Sequence, residues 1–143
     1  MIDQDRLVKA FCELVQIDSP SDEEEEVAQH LIPRLEKLGL QVARDAHGNV
    51  IATEIGDNPL LLSAHMDTVE PGRGIKPSVV GDRVVSDGTT ILGGDCKAGV
   101  SIILEALTSV VESGAQHRPV EVAFTRAEEG GLVGVHHLDF GLL

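Results

Sequence analysis

The chain has 143 residues, a length for one domain and too short for two well-cored ones. Its 24 acidic side chains against 11 basic ones leave a formal charge of −13, which excludes a nucleic-acid partner for want of a basic surface. No apolar run is long enough to cross a membrane, the start Met1–Arg6 does not read as a leader, and Cys12 and Cys96 cannot make a disulfide scaffold, so a cytoplasmic protein is expected.

In chain order, Leu7, Val8, Phe11, Leu14 and Val15 recur at helical spacing, and Pro20 ends that pattern. Ser21 followed by Glu24 reads as a capping box opening a second helix, whose first turn carries the acidic run Glu23–Glu26. Val27, Leu31, Leu35 and Leu38 continue its apolar stripe, Pro33 predicts a kink or break near Ile32, and Gly39 stops it. The period then changes: residues 40–45 and 50–55 alternate about a His47-Gly48-Asn49 turn. Leu60–Ala64 reads as a strand buried on both faces, and Val79-Val80 with Val84-Val85 as a second hairpin. A long helix is expected over 97–112, a strand over 120–124 and a helix over 132–138. The alternation of strands and helices predicts an α/β fold, a mixed β-sheet flanked by helices. With three Phe and neither Tyr nor Trp, its core is aliphatic and base-stacking platforms are excluded.

Three segments place polar residues where strands should end, the region in which open α/β sheets bind ligands. In Ser63-Ala-His-Met-Asp-Thr-Val69, His65 and Asp67 lie two apart and so share one side of an extended backbone. An imidazole is a good zinc ligand, and a neighbouring carboxylate fixes its tautomer. In Leu92-Gly-Gly-Asp-Cys-Lys-Ala-Gly99, Asp95 precedes a helix; it either caps that helix or bridges two metal ions, and the segment alone favours the cap. In Ala127-Glu-Glu-Gly-Gly131, two adjacent carboxylates point in opposite directions on extended backbone, so one can ligate a metal while the other faces its water. Together they make the donor inventory of a two-metal hydrolytic site. Serine or cysteine nucleophilic catalysis fits less well, because no G-x-S-x-G elbow occurs and Cys96 has no evident base.

SAHMDTVEPG, SDGTTILGGDCKAGV and FTRAEEGGLVGVHHLD resemble three ordered motifs of the M20 co-catalytic zinc metallopeptidases, most closely the peptidase T-like branch. The resemblance implies a zinc-exopeptidase (phosphorylase/hydrolase-like) fold. It also implies His65 on one zinc, Asp95 bridging both, Glu129 on the other, Glu128 as general base and Asp67 orienting His65. Two zinc ions serve a complete site, with cobalt or manganese as substitutes. A cis peptide between Asp95 and Cys96 is implied as well. The implied activity is hydrolysis of peptide bonds in short peptides. A deacylase or amidohydrolase acting on N-acyl amino acids competes with it, as does an inactive remnant serving as a binding module.

Family members carry Asp or Asn where Cys96 stands and Ala where Gly94 stands. Cys96 is either a tolerated small side chain or a metal-proximal thiol. The family's catalytic domain continues to a further carboxylate ligand and a late histidine, with a lid or dimerisation domain between them. Residues 1–143 thus read as the N-terminal part of that domain, truncated, with an exposed sheet edge through which a homodimer could form. His136, His137 and Asp139 are read as a flanking helix, His47 as a turn residue, and His30 and His117 as surface residues.

Overall fold

The computed structural model describes residues 1–143. The first helix, α1, spans Gln4–Val15, and the Asp3 side chain caps it by accepting from the Arg6 amide. The second, α2, spans Glu25–Lys37. Then follow β1 (Gln41–Arg44), β2 (Val50–Thr53), β3 (Leu60–His65), the short strands β4 (Ser78–Val80) and β5 (Arg83–Val85), α3 (Gly94–Ser113), β6 (Val120–Thr125) and α4 (Val133–His136). The main sheet runs β1-β2-β6-β3, with β3 parallel to β6 and the other pairs antiparallel. It is the mixed sheet flanked by helices that the alternating pattern predicts. β4 and β5 pair apart from it, as the second hairpin.

Period-2 alternation divides the sheet into two faces. Val50, Ala52, Leu62, Ala64, Val122 and Phe124 pack with Leu14 of α1, with Val27, Leu31 and Leu35 of α2 and with Val100, Ile103, Leu104 and Leu107 of α3. The opposite face holds only Ile51 and Ala123 under Leu138, Leu142 and Leu143. Burial of the first set drives folding, because each fully buried aliphatic chain contributes about 1.5–3 kcal/mol.

Four expectations are corrected. Ser21 and Glu24 make no capping box: Glu24 itself stands at the N-cap of α2, and no side chain caps that helix. Pro33 does not break α2, which continues to Lys37. β3 is not buried on both faces, because it lies at the edge of the sheet and leaves Leu60 and Leu61 nearly half exposed. The helix expected over 132–138 is one turn, α4, entered through Leu132 in the left-handed region (φ 63°). No helix is long and apolar enough to cross a membrane.

Candidate active site

The parallel pairing of β3 with β6 brings His65 opposite Thr125, so both strands deliver their following loops to the same end of the sheet. The third contributor is the entry to α3. Asp95 (φ −89°, ψ 107°) and Cys96 (φ −117°, ψ 27°) depart from helical angles there, and the Asp95–Cys96 peptide is cis, as expected. Asp95 does not cap α3; the N-cap is Gly93, in the left-handed region at φ 73°. Its carboxylate instead lies 3.0 Å from His65 Nε2 and is largely exposed.

His65 is buried, with Nδ1 2.9 Å from the Asp67 carbonyl and 3.3 Å from Asp67 Oδ1. Glu128 Oε2 is 3.7 Å from His65 Nε2. Asp67 is wholly buried and accepts three hydrogen bonds: from Ser21 Oγ (2.6 Å), the Glu128 amide (2.9 Å) and the Glu129 amide (3.1 Å). Burial alone would raise the Asp67 pKa. The His65 ring, the Ser21 hydroxyl and the two amides outweigh it and hold the carboxyl at about 2. Burial likewise works to lower the His65 pKa, yet Asp67 and Asp95 raise it to about 9.

Ligand atoms of His65, Asp95 and Cys96 all lie within 4.8 Å of one another, and so do those of His65, Glu128 and Glu129. Imidazole nitrogen and carboxylate oxygen at such separations suit a divalent cation of the zinc type. His65 belongs to both groups, whereas Asp95 and Glu129 share neither. Cys96 therefore stands among candidate ligands, and its sulfur is close enough to Gly99 that a Cβ there would sit 2.8 Å from Sγ.

Periodicity missed several residues here. Ser21 supplies a hydroxyl to Asp67 from the loop between α1 and α2. That loop is tied to the His65 loop, because Ser19 Oγ donates to the Met66 carbonyl and the Thr68 amide donates to the Ser19 carbonyl. Lys97 is fully buried, donates to the Ile17 carbonyl and is lowered to about 8 by burial, with Asp18 opposing. The remaining histidines lie outside both ligand groups: His47 stacks on His137 at 4.2 Å, and His30 bonds Arg34.

Comparison with known proteins decides the family. The model of peptidase family M28 matches residues 49–139, which include His65, Asp67, Asp95, Glu128 and Glu129. The chain belongs to peptidase family M28. Membership implies a divalent metal. The chain is 38% identical over its whole length to the uncharacterized protein YqjE of Bacillus subtilis, of which it spans 42%. It superposes on a tripeptidase of Staphylococcus aureus with a TM-score of 0.96 at 38% identity, covering 100% of this chain and 42% of that one. Aminopeptidase PepT of Bacillus cereus gives a TM-score of 0.94 at 40% identity, covering 99% and 41%. These likenesses bear out the peptidase T-like resemblance and the zinc-exopeptidase fold. An M20 family metallo-carboxypeptidase of Sulfolobus solfataricus, with a TM-score of 0.72 at 21% identity over 93% of this chain and 33% of its own, shares that fold. The chain thus spans about two fifths of the length of the relatives it matches end to end.

Proposed function

We propose that this chain is the N-terminal part of the catalytic domain of a cytoplasmic, metal-dependent exopeptidase that removes terminal residues from short peptides. The reading rests above all on Asp67, one buried carboxylate bonded at once to the amides of Glu128 and Glu129 and set against the His65 ring. His65, Asp95 and Glu129 are the metal ligands in this reading, and zinc is the metal their donor set favours over cobalt or manganese. When bound, the metal supplies Lewis acidity toward a substrate carbonyl and a lowered pKa for water.

The chain's own residues do the rest. With a cation bound, His65 would keep its proton on Nδ1, facing the Asp67 carbonyl and carboxylate, and would give up the one on Nε2, whose lone pair would then be available to the cation. Glu128, partly exposed and with Oε2 3.7 Å from His65 Nε2, takes the proton of the attacking water and returns it to the leaving amine. A short terminal peptide is the proposed substrate, in keeping with the peptidases that the chain resembles.

The test uses the whole protein. Tripeptide hydrolysis is expected, abolished by a chelator and restored by zinc, and Glu128→Gln should lower kcat by about 10²–10⁴-fold while zinc content stays unchanged. Hydrolysis of N-acyl amino acids without peptides would assign a deacylase instead. Metal binding without any turnover would leave a binding module.

A further inference from the structure

Four consecutive backbone amides lead into and through the paired glutamates, and each donates to a side chain from elsewhere in the chain. The Arg126 amide donates to Asn49 Oδ1 (3.1 Å) and the Ala127 amide to Glu24 Oε1 (2.8 Å). The Glu128 and Glu129 amides take the two oxygens of Asp67. These acceptors come from the loop after β3, the N-cap of α2 and the residue before β2, so three separate segments grip one stretch of loop.

Glu24 and Asn49 are buried, at 5% and 0% exposure, where a polar side chain needs a partner. Glu24 Oε1 also accepts from the Asp22 amide (3.1 Å), and Asn49 Nδ2 donates to Asp45 Oδ2 (2.7 Å) and the Gly134 carbonyl (2.9 Å). The grip has something to oppose. Ala127 sits at φ 48°, a left-handed conformation that is unfavourable for a residue bearing a Cβ and persists only where its surroundings over-determine it. Asp67 alone holds the amides of the two glutamates; the turn that aims their side chains lies just upstream, at the residues Glu24 and Asn49 hold.

We propose that Glu24 and Asn49 are positioning residues for Glu128, setting where its carboxylate stands by fixing the amides of Ala127 and Arg126. This rests on the reading of Glu128 as the base. A displacement of about 1 Å at a reacting group can cost on the order of 10²-fold in rate, so loss of either acceptor should appear in kcat.

The experiment compares Glu24→Gln, which keeps an acceptor oxygen, with Glu24→Met, which fills the same space without one. Tripeptide hydrolysis by the whole protein is measured with zinc content and thermal unfolding. Glu24→Met is expected to lower kcat by about tenfold or more, with KM within about twofold and zinc content intact, and Glu24→Gln to stay within about threefold of wild type. A folded, zinc-replete Glu24→Met with unchanged kcat overturns the proposal, as does a Glu24→Gln impaired as deeply as Glu24→Met. If Glu24→Met loses its cooperative transition, Asn49→Ala supplies the same comparison at the Arg126 amide, and failure of both to fold overturns it. A wild type inactive on peptides, or one indifferent to Glu128→Gln, overturns the exopeptidase reading instead.

Discussion

Ser21 shows how a residue's local spacing can point to the wrong partner. S-x-x-E is the pattern of a capping box, and Ser21 and Glu24 satisfy it by type and by distance along the chain. In the fold the Ser21 hydroxyl donates to Asp67, 46 positions away, and Glu24 turns to the Ala127 amide, 103 positions away. Ser21→Ala removes a hydrogen bond to a buried carboxylate, and a loss of about 1.5–3 kcal/mol is expected in urea unfolding. Gly134 makes a sharper case. A Cβ there would lie 2.4 Å from the Arg126 carbonyl and 2.5 Å from Asn49 Oδ1, so Gly134→Ala must push the Glu128 loop outward. A destabilisation of about 1–3 kcal/mol is expected in thermal unfolding, together with reduced kcat. Four of the five candidate site residues end or follow apolar strands, where a charged side chain is conspicuous in one dimension, and Asp95 stands instead at the entry to α3. Their acceptors were not legible, because nothing near Asn49 in the sequence points to position 126.

At the scale of elements, α1 is fastened to α3 by one buried acid. Glu105 accepts from Arg6 Nε at 2.6 Å, from Arg6 Nη2 at 2.9 Å, from the Asp3 amide at 2.7 Å and from Ser109 Oγ at 2.8 Å. The Arg6 bonds, with burial opposing and the Asp3 amide and Ser109 adding, hold its carboxyl at about 2, down from the usual 4.5. Because the folded value is the lower one, the contribution is complete above about pH 4.5 and disappears as pH falls toward 2. Glu105→Gln should therefore flatten the loss of stability in that window, read from urea midpoints at each pH, and cost about 1–3 kcal/mol at neutral pH. Neither partner was singled out from the pattern, since both sit on amphipathic helices where charge ordinarily meets water. Element types were nonetheless readable from the periods of 3.6 and 2. Element ends failed where backbone turns answered to distant partners: α2 starts at Glu25 rather than beside Ser21, and α4 closes after one turn.

The whole molecule is lopsided. One face of the sheet carries three helices, while the other is covered only by the segment from Leu138 to Leu143, and the β3 edge leaves Leu60 and Leu61 exposed. An unpaired edge beside apolar side chains is a template for another strand. The 143-residue chain is expected to associate with concentration in sedimentation velocity, and Leu61→Lys should return it toward the monomer. The sheet's existence was readable, but not its strand order, because pairing β6 between β2 and β3 joins segments about 60 to 74 residues apart. By itself, the sequence determined the layer architecture and singled out the acids and imidazole at two strand ends and one helix entry, since periodicity and residue type are properties of neighbours along the chain. Only the tertiary structure decided that Ser21, Glu24 and Asn49 serve those ends. A buried hydrogen-bonding group takes whichever partner the fold brings within about 3 Å, and that choice is made across space.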